Sequence, residues 1–255
     1  MARALAALTI GPLEPRGQDG VLADVMTFSA LGLHATVVVT AIDEIAVEAA
    51  LIAAQVEAVL GSVHVDAVAL TCPEDATMLE AIAGLLVRHD VQMLVLDPAA
   101  AVFDARALEV IKARLLPLAL VAVPNIPEAQ ALTGLPVETW EDMREAAHAI
   151  AAMGAANVVI KGGKRAGDHV TDLLFDGSDY RDVTAQRVQP PTAPGAGTTF
   201  AAALAASLAK GETVQHSVAA AKAYVTKALQ DAYDLGGPAA MHHFYRYWRP
   251  SAPWQ

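Results

Sequence analysis

A glycine-rich segment at the start of an alanine-rich helical pattern is the strongest local candidate for chemistry in this 255-residue chain. It reads Gly195-Ala196-Gly197-Thr198-Thr199 and follows a proline-rich loop. Glycine permits backbone angles that turn free N–H groups inward, and the following helix adds its positive dipole end. Such a turn binds anions, phosphate above all. A plain loop-to-helix turn would read the same way, so both interpretations stay open.

Asn125 and Glu128 follow the apolar run at residues 120–123. In α/β sheets, ligands collect at the carboxyl ends of strands. An amide and a carboxylate three residues apart can there hold a hydrated Mg²⁺, which takes oxygen ligands and keeps several waters. The same two residues would also suit a helix N-terminus, with Glu128 as a favourable charge in the first turn. The sequence favours neither of these two interpretations over the other.

Lys161 ends another apolar run and is followed by Gly162 and Gly163. A lysine at a strand end can meet a phosphate as a point charge, or it can simply be solvated. The two glycines would let a ligand approach the backbone closely, although turn geometry alone would also explain them.

These candidates need a scaffold that brings strand ends together, and the hydrophobic pattern predicts one. Apolar runs of strand length occupy residues 4–10, 36–41, 67–70, 93–96, 120–123 and 157–160. Amphipathic helical patterns lie between them, at residues 21–31, 47–60, 76–88, 105–115 and 141–153. Most of the runs are apolar throughout, as in parallel strands covered on both faces. The alternation predicts an α/β fold with right-handed crossovers and a mostly parallel sheet between two helix layers.

The pattern changes in the C-terminal half of the chain. Residues 169–175 and 179–187, separated by Asp176-Gly177-Ser178, predict an antiparallel hairpin. Helical patterns follow at residues 198–210, 214–233 and 238–247. Because we see neither an interdomain linker nor a long-period repeat, the sequence predicts a single domain over residues 1–255.

Composition and charge exclude several classes of function. The chain is 55% hydrophobic, which excludes a disordered protein, and its many alanines suit helices packed closely against a sheet. The net charge of −11 argues against a nucleic-acid partner, whose phosphates would need a basic face. The longest apolar stretches are about half of what a bilayer span requires. We therefore expect no membrane partner and a cytoplasmic location.

The remaining reactive side chains carry weaker signals. Cys72 is the single cysteine, and a buried thiol is favoured over a nucleophile. His242 and His243 are adjacent, so on a helix they would not face one metal ion. The aromatic segment at residues 244–248 suits either a terminal helix docked on the core or a subunit contact.

Several segments in a fixed order carry a family resemblance. They are Leu8-Thr9-Ile10, the Ala-Asp-Val-Met-Thr-Phe-Ser-Ala-Leu-Gly block at residues 23–32, Val95-Leu96-Asp97-Pro98, Pro124-Asn125-Ile126-Pro127-Glu128-Ala129, Ile160-Lys161-Gly162-Gly163, the glycine loop and His242-His243-Phe244. On these segments the chain resembles the ribokinase-like kinases, and within them the hydroxymethylpyrimidine and phosphomethylpyrimidine kinases of thiamine biosynthesis. The resemblance covers nearly the whole chain.

The resemblance implies a ribokinase-like α/β fold and ATP-dependent phosphorylation of a hydroxymethylpyrimidine, its phosphate or a similar small alcohol. It implies that Gly195-Ala196-Gly197 forms an anion hole for the transferring phosphate oxygens. Lys161, Gly162 and Thr199 would bind the nucleotide. Phosphoryl transfer relies on positioning and charge stabilisation, which such groups supply.

The resemblance also implies roles for three further residues. Asn125 and Glu128 would organise Mg²⁺, largely through water. Asp24 would lie in the substrate pocket and accept a hydrogen bond from the pyrimidine or its hydroxymethyl group. The family commonly dimerises, so the resemblance also implies a homodimer, although a shortened flap after the second strand weakens that inference.

The departures from the family pattern lie at positions expected to catalyse the reaction or to bind its ligands. The family's catalytic base, a Cys or an Asp, is replaced here by Thr198, whose hydroxyl has no pKa near neutrality and cannot take the substrate proton. The first loop, residues 15–20, carries large and charged side chains where the family has mostly glycine. The flap near Ile42-Asp43-Glu44 looks truncated, and residues 99–104 lack the family's lysine.

Two hypotheses follow from this combination. In the first, the chain is an ATP-dependent small-molecule kinase of weak or altered activity, with water or Asp24 assisting deprotonation. In the second, it is a catalytically degenerate paralogue that binds a nucleotide or small pyrimidine as a sensor or regulator. The retained Asn125, Glu128 and Lys161 favour ligand binding, whereas the missing base and lysine favour lost or altered catalysis.

Overall fold

A nine-stranded sheet organises the protein, which is represented by a computed structural model describing residues 3–98, 104–163, 166–188 and 194–248. The strands are β1 (Ala6–Leu13), β2 (His34–Ile42), β3 (Ile45–Ala46), β4 (Ala67–Thr71), β5 (Leu94–Asp97), β6 (Val121–Ala122), β7 (Val158–Ile160), β8 (His169–Phe175) and β9 (Tyr180–Gln186). Their order in the sheet is β3-β2-β1-β4-β5-β6-β7-β8-β9. The strands from β2 to β7 in that order pair in parallel, and β3, β8 and β9 pair antiparallel at the two edges.

Eight α-helices connect these strands in the described ranges. They are α1 (Gly20–Ala30), α2 (Ala49–Leu60), α3 (Ala76–Arg88), α4 (Ala105–Val110), α5 (Ile126–Thr133), α6 (Trp140–Ala152), α7 (Ala196–Ala209) and α8 (Val214–Gln230). Helix α4 continues through a π-helical turn, Ile111–Leu115, into a 3₁₀ turn, Leu116–Leu118. Of the helices described, none is long and apolar enough to cross a membrane.

The two faces of the sheet bury side chains of different size. Neighbouring residues of a strand point to opposite faces. Leu8, Leu70 and Leu96 lie on the face covered by α2 to α6. Ala7 and Ala69 lie on the other face, in the core formed with α1, α7 and α8. Because these side chains are small, the alanine-rich α7 can lie directly against the strands.

Most helices begin at a side chain that accepts a backbone N–H. Asp19 caps α1, Asp75 caps α3 and Asp104 caps α4, and Asn125, Thr139 and Thr213 cap α5, α6 and α8. Helix α7 differs, because Gly195 occupies its N-cap position and has no side chain. The first-turn amides of α7 are therefore available to another acceptor.

The predicted α/β class is confirmed: the sheet is mostly parallel, helices cover both faces, and β8 and β9 form the expected hairpin. The helix predicted over residues 238–247 is wrong. Tyr233 and Ala240 exchange two backbone hydrogen bonds, of 3.0 and 2.9 Å, and turns follow as far as residue 247. Gly236, with φ of +86°, and Pro238 lie inside this connection, where they favour a turn over a helix.

The connection after the second strand is short. Asp43 has φ of +54° and reverses the chain, so that β3 pairs with the end of β2 over two residues. Helix α2 begins three residues after β3. The region beyond β2 is therefore a small hairpin.

Candidate active site

The carboxyl ends of the central strands place the candidate residues along one edge of the sheet. β4 and β5 are in register so that Thr71 lies beside Asp97. Just beyond β6 and β7, a parallel bridge pairs Asn125 with Lys161. Ligands bind at this edge in open α/β sheets, so the fold brings together polar residues that are far apart in the chain.

Asp97 and Lys161 form a buried ion pair at this edge. The Lys161 Nζ donates to Asp97 Oδ1 at 2.9 Å, and only 13% of the lysine side chain is exposed. Burial by itself lowers the pKa of Lys161, but the negative charges of Asp97 and Glu128 outweigh burial and raise that pKa above its ordinary value. Lys161 is therefore a fixed positive charge, and the interpretation of a solvated strand-end lysine does not hold.

Asn125 and Glu128 hold each other at the start of α5. Asn125 Oδ1 accepts the Glu128 N–H at 3.1 Å, while the Asn125 N–H and Nδ2 donate to the two Glu128 carboxylate oxygens at 2.7 and 2.6 Å. This reciprocal arrangement is a capping box. The interpretation of these two residues as a helix N-terminus is thus correct. Since a carboxylate oxygen can accept more than one hydrogen bond, capping and the binding of a hydrated cation are compatible.

The donor chemistry of this edge suits magnesium more than a soft metal. Asn125 and the buried Glu128 offer amide and carboxylate oxygens, which a hard cation prefers. Among the residues that the structure describes, no group of three or more His, Cys, Asp or Glu side chains is arranged to hold a metal ion directly. A cation here would therefore keep most of its water ligands.

The glycine loop lies against the Lys161–Asp97 pair. A β-carbon at Gly197 would lie 3.3 Å from Lys161 Nζ and 3.8 Å from Asp97 Oδ2. Gly197 belongs to the first turn of α7, together with Ala196 and Thr198, and the N–H groups of a first turn have no partner within the helix. The buried cation and these amides therefore face one position, which is the arrangement an anion needs.

The glycine loop also packs against the first loop of the chain. Gly195 has φ of +79°, and a β-carbon there would lie 2.1 Å from the Gln18 carbonyl oxygen and 3.1 Å from Asp19 Cα. No other residue fits this approach without moving the backbone. The contact holds the start of α7 beside the start of α1.

Thr198 and Asp19 meet where these two helices begin. The Thr198 hydroxyl donates to Asp19 Oδ1 at 2.5 Å, and the same oxygen accepts the Gly20 N–H at 2.8 Å. The two residues are 179 positions apart in the chain. The position expected to hold a base is therefore occupied by a hydroxyl that is bonded to a carboxylate.

Thr199 is less available to a ligand than its neighbours. Its side chain is fully buried, and its N–H donates to the Gly195 carbonyl at 2.9 Å. Within the described ranges its hydroxyl oxygen has no hydrogen-bond partner. The expected contact with a nucleotide stays a prediction.

Asp24 lies deep between β1 and α1. It is 2% exposed, and its Oδ2 accepts the Thr9 hydroxyl at 2.5 Å. Burial raises the pKa of Asp24 well above its usual range, and the negative charges of Asp19 and Asp97 add to this effect. Its Oδ1 has no partner among the described residues. A substrate donor could supply one, and this role also stays a prediction.

Gly162 is required by the fold. A β-carbon there would lie 1.9 Å from the Thr171 carbonyl oxygen of β8. The Gly162 N–H donates to Asp172 Oδ1 at 2.9 Å, and Lys222 Nζ donates to Asp172 Oδ2 at 2.7 Å. This second buried pair fixes the backbone next to Lys161. The turn-geometry explanation of the glycine is thus sufficient, and its contact with a nucleotide is untested.

Sequence reasoning missed two residues of this region, Asp97 and Asp19. Asp97 could have been found, because it is the first charged residue at the end of an apolar strand. Asp19 carried no such signal. Residues 99–103, part of the segment predicted to lack the family's lysine, lie outside the described residues. Cys72 is buried, and burial together with the charges of Asp97 and Glu128 raises the pKa of its thiol well above the usual range, which disfavours a nucleophile.

Comparisons with known proteins agree with this geometry. Residues 14–243 match the family model described as phosphomethylpyrimidine kinase. The hydroxymethylpyrimidine/phosphomethylpyrimidine kinase of Streptomyces coelicolor is 39% identical over 247 residues, which cover 90% of each chain. The thiamine biosynthesis bifunctional protein ThiED of Geobacter sulfurreducens is 36% identical over 93% of this chain, which spans about half, 52%, of that longer protein.

A solved structure is similar over almost the full length. The pyridoxal kinase of Staphylococcus aureus in complex with AMP-PCP and pyridoxal superimposes with a TM-score of 0.90 at 30% sequence identity. The match covers 97% of this chain and 97% of the other. The likeness therefore extends to the edge of the sheet that carries the site.

Proposed function

The chain belongs to the phosphomethylpyrimidine kinase family, and on that premise we propose that it transfers the terminal phosphoryl group of ATP to hydroxymethylpyrimidine or its monophosphate. One observation carries the proposal: the buried Lys161–Asp97 pair faces Gly197 in the uncapped first turn of α7. A fixed cation, together with first-turn amides that have no partner within their helix, suits a phosphoryl group that carries negative charge on several oxygens.

The phosphate-binding part has two components in this proposal. Lys161 meets the nucleotide phosphates as a point charge that its surroundings keep protonated. The N–H groups of Ala196, Gly197 and Thr198 donate to the transferring oxygens, and the positive end of α7 adds to their field. Because Asp97 fixes Lys161 before a ligand arrives, little reorganisation is needed on binding.

Asn125 and Glu128 are the residues that would hold Mg²⁺, through water. When bound, the cation neutralises phosphate charge during transfer. Their capping box fixes both oxygen-bearing groups relative to the end of β6. The same turn that begins α5 would thereby position the cation.

Asp24 is our candidate for recognising the acceptor. Its Oδ1 lacks a partner among the described residues, and a donor group on the pyrimidine would satisfy it. Thr198, at the position of the family's base, cannot accept a proton at neutral pH. If no other group takes the proton of the acceptor, the chain would therefore be a slow kinase or one with an altered acceptor.

Thr198 also supports a second candidate, a regulator that binds nucleotide or pyrimidine without turnover. The two candidates separate when binding and turnover are measured on one preparation. We expect Mg-ATP to bind, and hydroxymethylpyrimidine or its monophosphate to cause ADP release. Mg-ATP binding without ADP release on these acceptors or on pyridoxal would reject the kinase and support the regulator.

A further inference from the structure

We propose that Asp19, in the first loop, is the general base of the transfer reaction and that Thr198 positions it; this inference rests on the proposed function. The observation behind it is the hydrogen bond from the Thr198 hydroxyl to Asp19 Oδ1, 2.5 Å long, at the mouth of the anion-binding turn. The position that cannot act as a base is thus bonded directly to a group that can.

The second carboxylate oxygen of Asp19 is available for a proton. Oδ1 accepts both the Thr198 hydroxyl and the Gly20 N–H, whereas Oδ2 has no hydrogen-bond partner among the described residues. Asp19 is partly exposed, so a substrate can reach it. A carboxylate held through one oxygen and open at the other has the geometry that a general base requires.

The surrounding loop holds Asp19 in place. Glu14 accepts the backbone N–H groups of Arg16 and Gln18 at 2.9 and 3.0 Å. The Gln18 side chain donates to the Pro238 carbonyl at 3.2 Å, and Gly195 packs on Asp19 Cα. The large and charged residues of this loop, which departed from the family pattern, therefore build a fixed support for one carboxylate.

Asp24 is a poorer candidate for the base. It is 2% exposed, and its Oδ2 is bonded to Thr9 in the interior. Asp19 and Asp97 both lie close enough for their charges to disfavour ionisation of Asp24. Of the two carboxylates near the start of α1, Asp19 is thus the accessible one.

The step balances in atoms and charge. The acceptor hydroxyl oxygen attacks the terminal phosphorus of ATP and forms the new P–O bond. The bond from that phosphorus to the bridging oxygen breaks, and its electron pair leaves with ADP. The hydroxyl proton moves to Asp19 Oδ2 and is later released to water, while Thr198 keeps its own proton and donates to Oδ1 throughout.

The test compares Asp19→Asn with a matched variant in the full-length chain. Asparagine caps helices as well as aspartate does, so the start of α1 should persist. We expect kcat for ADP release with hydroxymethylpyrimidine to fall by about 10²–10⁴-fold, since this is what a general base contributes. KM for ATP and the binding of AMP-PCP should stay unchanged. Asp75→Asn, which alters the N-cap of α3 in the same way, should keep wild-type kcat.

Variants at Thr198 test the same inference independently. Thr198→Ala should lower kcat about tenfold, and Thr198→Ser should restore it, because serine keeps the hydroxyl that positions Asp19. Thr198→Cys should gain nothing while Asp19 is present, but should recover activity in the Asp19→Asn background.

Three results would overturn the inference. If wild type turns over and Asp19→Asn matches it within about twofold, Asp19 is not the base, although the kinase stands. A gain of about 100-fold in Thr198→Cys alone would show that the base had been missing. If wild type binds AMP-PCP but releases no ADP with any acceptor, the proposed function and the role of Asp19 fall together.

Discussion

Two buried lysine–aspartate pairs lie side by side in this protein and face different surroundings. Lys222 donates to Asp172 at 2.7 Å, and the other oxygen of Asp172 accepts the Gly162 N–H, so the whole carboxylate is bonded within the fold. Lys161 donates to Asp97 at 2.9 Å, but the second oxygen of Asp97 faces the glycine loop. In the first pair, both carboxylate oxygens are bonded to protein groups. The second pair lies beside the loop where we expect phosphate to bind.

The comparison shows that burial and a short ion pair do not by themselves mark a functional residue. Lys161 and Lys222 both follow apolar sequence, and their side chains are only 13% and 10% exposed. The two lysines differ in what lies beside the second oxygen of the paired carboxylate: the Gly162 N–H at Asp172, and the glycine loop at Asp97. Removing either lysine should therefore lower stability, but only the Lys161 substitution should also affect chemistry.

Replacing Lys222 with methionine should give the largest effect, on stability. The change leaves Asp172 buried without its cation, which costs about 3–5 kcal/mol. In a chain of this size, thermal unfolding should move down by roughly 10 °C. As a control, Lys227→Met breaks a surface pair with Asp231 and should cost less than about 1 kcal/mol. Equal melting shifts in the two variants would contradict the structural role.

Replacing Lys161 with methionine should lower turnover as well as stability, because Asp97 is also left buried without its cation. Methionine keeps the length of the side chain but removes the charge that, in the proposed function, meets the nucleotide phosphates. We expect kcat/KM for ADP release to fall by about 10²–10³-fold, as when one electrostatic donor is lost from an oxyanion site. Wild-type kcat/KM in this variant would place Lys161 with Lys222, as a purely structural lysine.

His243 shows what a buried titratable group does without an opposite charge. Burial, with a smaller effect from His242, lowers the pKa of His243 to about 4 from its ordinary value of 6.5. Between these values the unfolded chain binds more protons, so stability should fall as the pH drops from 6.5 towards 4, by up to about 1.4 kcal/mol per pH unit. Urea unfolding at pH 7.5, 6 and 5 measures this slope.

The control for His243 compares two histidine variants. His243→Asn should flatten the dependence on pH whatever its own stability, whereas His34→Asn, at an exposed position, should keep the wild-type slope. Parallel slopes in wild type and His243→Asn would show that another group is responsible.

Adding one methyl group beside Lys161 should give the smallest effect. In Gly197→Ala the new β-carbon would lie 3.3 Å from Lys161 Nζ, which must move by a few tenths of an ångström. We expect kcat/KM to fall by roughly fivefold with the melting temperature kept or raised, since alanine favours helix. Gly84→Ala, in the open on α3, should raise stability and leave kcat/KM alone. Identical kinetics in both variants would remove Gly197 from the site.

Much of the scaffold was predictable because its signals are local. Each central strand was a run of apolar residues, and each predicted boundary lies within a few residues of the observed strand. The terminal helix was not predictable, because the aromatic segment at residues 244–248 suits a docked helix. The preceding Gly236-Gly237-Pro238 instead forms a turn, after which Ala240 pairs with Tyr233.

The site was predictable only in part. Lys161, Asn125, Glu128 and the glycine loop follow strands or precede a helix, where sequence alone indicates a ligand edge. Whether Asn125 and Glu128 would cap a helix or face a cation could not be decided, since both uses need the same residue types. The structure shows the cap and leaves the carboxylate oxygens able to serve both.

The sequence by itself determined the layered α/β scaffold and the glycine loop, because hydrophobic periodicity and glycine placement act over a few residues. Only the tertiary structure decided that Asp19 meets Thr198, that Asp97 holds Lys161, and that Asp172 closes on Lys222. The physical reason is that these bonds depend on how α1 packs beside α7 and how the strands are ordered in the sheet. A short-range sequence pattern cannot predict contacts between residues that are far apart in the chain and meet only through packing.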